Sequence, residues 1–184
     1  MRKDEYLLAE ILDFMRSPSE FILPEERLPD QRWESIYIAT KDGSDASTFH
    51  RLCDNQGPTM VIIRSTGGYL FGGYASQSWS SNGSYTNAPN SFLFLLTNAN
   101  GSQPTKFLYN NNGYAFYNHP AYGPAYGGSH DLHICDKSNA NNNSYCNMSG
   151  ESSSYPNTLG LGVVTFTGAK NFQTTEIEVF KLSQ

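Results

Sequence analysis

Thr59-Met60-Val61-Ile62-Ile63-Arg64, then Ser65 and the turn Thr66-Gly67-Gly68, then Tyr69-Leu70-Phe71-Gly72-Gly73-Tyr74: this stretch decides the fold. Both flanks are short and rich in β-branched or aromatic residues, and the glycine pair between them reads as a hairpin turn. Downstream, Phe92 to Thr97 (FLFLLT) is continuously apolar, which predicts a strand covered on both faces. Thr105 to Tyr109, the Asn110–Gly113 turn and Tyr114 to Tyr117 predict a second hairpin. His130 to Cys135, Val163 to Thr167 and Thr175 to Leu182 complete the expected strands. Loops rich in Gly, Asn and Ser separate them, the longest over residues 136–158. The spacing is that of an all-β sandwich.

Upstream the period changes. Leu8, Ile11, Leu12 and Met15 follow one helical face, Asp4 and Glu5 suit the positive end of its dipole, and Pro18 stops it. Residues 1–18 are therefore an expected N-terminal amphipathic helix or extension. It is too short to be stable alone and needs a surface to cover: the domain, a partner, or a second copy. An arm with Pro24 and Pro29 follows. Trp33 to Ala39 alternates as a half-buried strand does, and Asp42-Gly43 is a turn. Ser44 or Asp45 is then placed to cap a short helix through Cys53, with Phe49, Leu52 and Cys53 inward. One main domain over residues 19–184 is the resulting organisation.

Composition narrows the chemistry. Of 184 residues, 14% are aromatic and only 16% charged, so rings must fill the core and uncharged polar groups the surface. Residues 1–54 hold 7 Lys/Arg against 12 Asp/Glu, and residues 55–184 hold 5 against 5, so the whole net charge of −5 sits in the first third. No basic stripe exists to neutralise phosphates, which argues against nucleic acid and anionic membrane as partners. No run approaches the ~20 apolar residues of a membrane span. Asp4, Glu5 and Glu10 interrupt any signal-peptide apolar region. Three unpaired cysteines, Cys53, Cys135 and Cys146, suit a reduced cytoplasmic chain.

Candidate sites are few. His130, Asp131, His133 and Cys135 are metal-ligand types, but strand alternation sets the two histidines on opposite faces, so no metal site is expected. Cys53 is expected inside. Cys146, in the long polar loop, is expected to be the exposed, oxidisable thiol. Glu176 and Glu178 share a strand face with Phe180 and form a candidate acid–base pair. Gly72-Gly73 and Gly127-Gly128 read as turns, bulges or close-approach points that also shape a binding rim. No nucleophile elbow, HExxH helix, Walker loop or dinucleotide fingerprint is present.

Several segments, in order, resemble the TLDc domain family. Trp33 to Tyr37 with Asp42-Gly43-Ser44 resembles its opening strand and turn. Thr48 to Arg64 (TFHRLCDNQGPTMVIIR) resembles its helix, Gly-Pro-Thr link and first long strand. Tyr69 to Ser76 (YLFGGYAS) with Trp79 resembles its aromatic, Phe-Gly-Gly and small-residue signature. Ser91 to Leu95, Gly127 to Ile134 (GGSHDLHI), Ser144 to Gly150 and Glu176 to Phe180 resemble its central strand, glycine turn, polar loop and closing strand. Ser129 stands where many members have a third glycine, and Cys146 and Met148 make the polar loop richer in sulfur than usual.

The resemblance implies a sandwich of two antiparallel sheets with short flanking helices. No catalytic mechanism is established for that family, and no cofactor or metal is expected. The resemblance links the chain to oxidative-stress resistance and to the vacuolar proton-pumping ATPase, where a helical stalk is the expected docking surface. In that reading Gly72, Gly73, Gly127 and Gly128 form the contact rim, and Glu25 and Glu26 steer the acidic arm toward a basic partner. The N-terminal helix offers self-association. The competing reading is an enzyme or thiol antioxidant acting through Cys146, Cys135 or the Glu176–Glu178 pair.

Overall fold

The computed structural model describes residues 33–149 and 153–182. The expected N-terminal helix over residues 1–18, together with Glu25 and Glu26, lies outside the described residues. The long strands make one antiparallel sheet: β1 (Trp33–Ile38), β2 (Thr59–Ser65), β3 (Leu70–Ala75), β5 (Phe92–Thr97), β6 (Thr105–Leu108) and β12 (Thr174–Leu182). Their order is β1-β12-β2-β3-β5-β6. A second antiparallel sheet is built from short strands: β4 (Tyr85–Thr86), β7 (Phe116–Tyr117), β8 (Ala125–Tyr126), β9 (Leu132–His133), β10 (Ser144–Cys146) and β11 (Asn171–Phe172). Its order is β11-β10-β9-β8-β7-β4. The expected mostly-β, two-sheet sandwich is the observed fold. Among the described residues two short α-helices flank it, α1 (Ala39–Asp42) and α2 (Ala46–Cys53).

Alternation along β2 sends Val61 and Ile63 toward the second sheet, and they join Phe71, Leu93 and Leu95 in the core. Met60, Ile62, Tyr74, Phe92 and Phe94 are buried as well, so the central strands are covered on both faces, as the continuous apolar run at Phe92 predicts. Rings close the gap between the sheets. Phe71 meets Phe172 edge-on at 5.3 Å, and Trp79 lies 4.5 Å from Phe116 and 5.3 Å from Tyr126. The indole N–H of Trp79 donates to the Thr59 hydroxyl at 2.9 Å, so its polar edge is satisfied inside.

Five expectations change. Tyr114 to Tyr117 does not form a hairpin with Thr105 to Tyr109: β6 pairs with β5 in the first sheet, while β7 pairs with β4 and β8 in the second. The intervening segment is a crossover, held where Asn110 N–H donates to Ser154 O at 2.9 Å and Gly113 N–H donates to the Tyr109 hydroxyl at 2.6 Å. Val163 to Thr167 is not a strand; Gly160 (φ +68°) and Gly162 (φ +59°) turn the chain into a short 3-10 turn at Gly162–Val164. Only Leu132–His133 of the expected His130–Cys135 strand joins a ladder. The long polar loop over residues 136–158 contains β10. The helix through Cys53 is present, but neither Ser44 nor Asp45 caps it with a side chain. Asp136 Oδ1 accepts the Ala46 N–H at 2.8 Å instead, from 90 residues away.

Candidate functional site

The second sheet carries a continuous network of tyrosine and histidine rings. It begins at the turn joining β8 to β9, where Gly127 (φ +86°) and His130 (φ +53°) are both left-handed and His130 N–H donates to Gly127 O at 3.1 Å. A left-handed His130 escapes strand alternation. Its ring therefore stacks on His133, with centroids 5.3 Å apart and planes 19° apart. The two histidines share a face, contrary to the separation expected from a regular strand. Tyr145 sits opposite His133 in the β9–β10 ladder and stacks on it at 4.8 Å. The Tyr145 hydroxyl is 2.9 Å from His130 Nδ1. Tyr122 stands edge-on over His133 at 4.7 Å, and Tyr117 stacks on His130 at 5.6 Å. Tyr117 continues the network to Tyr85 at 4.5 Å, and Tyr85 to Tyr114 at 5.1 Å.

No Lys, Arg, Asp or Glu contributes to this ring network. Burial, and then the neighbouring His130, hold His133 down to about 4. Burial also lowers His130 and raises Tyr85 and Tyr145. His130 Nε2 and His133 Nδ1 are buried without a protein partner. Their rings are nearly parallel, so their in-plane lone pairs do not converge on one ion, and no third His, Cys, Asp or Glu groups with them among the described residues. Tyr85 and Tyr114 are the outward end of the network, at 37% and 48% exposure.

Asp131 anchors the turn from beneath. It is fully buried and accepts the Ser153 hydroxyl at 2.6 Å and the Tyr155 N–H at 3.0 Å. Burial pushes its carboxyl up to about 6, against the lowering effect of those donors. The same segment supports the network's outward end, since the Ser154 hydroxyl accepts the Gly128 N–H at 2.9 Å and the Tyr155 hydroxyl donates to Ala115 O at 2.7 Å.

The family model described as the TLDc domain matches residues 13–183. The chain belongs to the TLDc domain family. It is similar to the mTOR-associated protein MEAK7 of Mus musculus, at 30% identity over 103 residues, covering 52% of this chain and 21% of that protein. The MEAK7 of Gallus gallus is 30% identical over 111 residues, covering 54% of this chain and 22% of that protein. That of Danio rerio is 31% identical over 64 residues, covering 35% and 14%. The chain thus spans less than a quarter of the length of these relatives.

One constellation in this TLDc domain was missed by sequence reasoning. His50, on α2, places Nδ1 2.8 Å from Asp54 Oδ1, and Ser81 donates its hydroxyl to Asp54 Oδ2 at 2.6 Å. The i, i+4 spacing of His50 and Asp54 was the available signal. The residue types are those of a hydrolytic triad, and an open cleft of about 320 Å³ lies beside them, lined also by Ser47, Arg51 and Pro120. The wiring differs. Ser81 bonds to the carboxylate rather than the imidazole, and His50 Nε2 is held by the main-chain oxygens of His119 and Tyr122 at 3.0 and 3.1 Å. The imidazole is turned away from the serine, and His50 ties α2 to the 119–122 turn.

The other candidates of the TLDc domain separate. Cys146, expected exposed, is fully buried on β10, and burial pushes its thiol up to about 11. Its neighbours in sequence are polar, but the ladder turns its side chain inward. Cys53 is buried and its thiol is pushed up. Cys135 is the partly exposed thiol and donates to Asn141 Oδ1 at 3.0 Å. Glu176 accepts the Thr40 N–H at the start of α1, at 3.0 Å, and the Thr40 hydroxyl. Glu178 is buried opposite Ile62.

The glycine rim does not form. Gly72 and Gly73 lie mid-strand in the first sheet and are buried, with no room for a side chain: a Cβ on Gly72 would stand 2.0 Å from Val61 O and one on Gly73 2.6 Å from Tyr126 Cζ. A Cβ on Gly127 would stand 2.3 Å from Asp131 Oδ2. Of the four, Gly127 and Gly128 meet residues of the ring network through their carbonyls, Gly127 accepting the His130 N–H at 3.1 Å and Gly128 the Tyr85 hydroxyl at 2.9 Å.

Proposed function

We propose that this TLDc domain is a non-enzymatic docking module that binds a protein partner through the tyrosine–histidine face of its second sheet. The observation that carries this reading is the continuous, uncharged ring network with Tyr85 and Tyr114 at its exposed end. Tyrosine is enriched and charge depleted at the centres of protein interfaces, because a rigid ring buries large area with little entropy loss while its hydroxyl keeps a hydrogen bond. The same lack of charge disfavours phosphate backbones. Catalysis has less support, since the Ser81, His50 and Asp54 trio is wired as a structural tie.

The relatives carry the words mTOR-associated in their name, which supports a protein partner. Resemblance to the family adds the vacuolar proton-pumping ATPase stalk as the candidate docked from the cytoplasm, with oxidative-stress resistance as the consequence. No helix among the described residues is long and apolar enough to cross a membrane.

The test is a titration of the purified chain against purified vacuolar ATPase stalk subunits and, separately, against mTOR complexes. The expected result is saturable binding to one of them. The double variant Tyr85→Ser, Tyr114→Ser should weaken it at least about tenfold while the chain still unfolds cooperatively. Equal affinity for variant and parent, or no binding to either assembly, overturns the reading. Glu25→Gln with Glu26→Gln tests steering: association at low salt should slow, and an unchanged rate sinks the acidic arm's role.

A further inference from the structure

We propose that the open end of the sandwich, between the β2–β3 turn and β11, is a binding site for a neutral, hydroxyl-rich small molecule of monosaccharide size. The cleft there holds about 240 Å³, and its lining includes Ser65, Thr66, Tyr69, Asn142, Asn171 and Phe172. It shares no residue with the ring network.

Ser65 is the central observation. It ends β2, two residues beyond Ile63, so alternation sends its side chain into the space between the sheets. It is only 2% exposed, and its hydroxyl is buried with no partner. A buried hydroxyl left unpaired is unfavourable, and an arriving hydrogen-bonding ligand removes that penalty. Around it, the side chains of Thr66, Asn142 and Asn171 bond to no other described group, so amide and hydroxyl functions stand ready at the mouth.

The lining selects the ligand class. None of the lining residues is charged, so a phosphate or carboxylate would leave water without a counter-charge. A purely apolar ligand would strand the amides and hydroxyls. A polyol matches both donors and acceptors, and the rings of Tyr69 and Phe172 offer apolar cover for its C–H faces. The volume lies below the ~300–1,000 Å³ of drug-sized pockets, which fits a single sugar ring. The walls are set before binding: Thr66 N–H donates to Gln173 O at 3.0 Å, and Thr174 N–H donates to Ser138 O at 3.0 Å.

The experiment is an amide NMR titration of the whole chain with D-glucose, D-galactose, D-mannose and myo-inositol, with inorganic phosphate as the charged comparison. The expected result is saturable shifts at residues 65–69, 142 and 171–173 with at least one neutral probe and none with phosphate. Ser65→Ala removes an unpaired hydroxyl, so its melting temperature should equal or exceed the parent's, while probe affinity falls about tenfold. Absence of saturable shifts with every neutral probe, phosphate binding in their place, a destabilised Ser65→Ala chain, or unchanged affinity in that variant overturns the proposal.

Discussion

A carboxylate sealed beneath a turn opposes folding whenever it ionises, and Asp131 is such a group. Its carboxyl is raised from 3.8 to about 6, so its protonated form favours the fold below about 4, and that contribution is lost as pH rises through about 6. His133, lowered from 6.5 to about 4, acts in the opposite sense, because charging it on acidification disfavours the fold. Each effect amounts to about 3 kcal/mol, and the two overlap in the same window. Asp131→Asn should therefore show urea midpoints that climb steeply with pH between about 4 and about 6, and His133→Asn midpoints that fall relative to the parent over that window. Parallel profiles for the three chains would contradict the burial assignments. Glycine gives a second prediction at this scale. Gly72→Ala places a methyl 2.0 Å from the Val61 carbonyl, a backbone atom that cannot step aside. The expected loss is roughly 3 kcal/mol or more, read from the urea midpoint. The glycine doublets were legible in the sequence as close-approach points, but which atom approaches was not.

At the scale of elements, α2 shows how a cap can come from outside its own segment. Its first N–H is accepted by Asp136, while the Asp45 side chain makes no capping bond and pairs only loosely with Lys137 at 3.8 Å on the surface. Asp136→Ala should lower stability by about 1 kcal/mol, and Asp45→Ala by a few tenths at most, measured by thermal unfolding. The reverse order would restore the local cap expected from sequence. The long strands β2, β3, β5 and β12 were legible because each carries enough β-branched and aromatic residues to establish a pattern. Most strands of the second sheet span two residues, too short for any periodicity, and they sit among Gly, Asn and Ser. Their pairing is imposed by the core they cover.

For the whole molecule, the close approach of the two sheets is set by Tyr126 against Gly73 and by Phe71 against Phe172. That closure protects Cys53 and Cys146 and leaves Cys135 partly accessible. Titration of the native chain with dithionitrobenzoate should label Cys135 alone within minutes, with Cys53 and Cys146 reacting only at the rate of unfolding. Fast labelling of Cys146 would return weight to the thiol reading. A Cys135→Ser chain that keeps partner binding would separate docking from thiol chemistry.

The sequence by itself determined the β class, the hairpin around Thr66-Gly67-Gly68, the apolar central strand and the near-absence of charge beyond residue 54, because each is a property of composition or of short-range pattern. It carried enough ordered signatures to identify the family. Only the tertiary structure decided which rings meet. His130 reaches His133 through a left-handed turn, Cys146 faces inward through a three-residue ladder, and Ser65 is left unpaired where the sheets part. These depend on residues far apart in the chain meeting in space, and no local propensity encodes that.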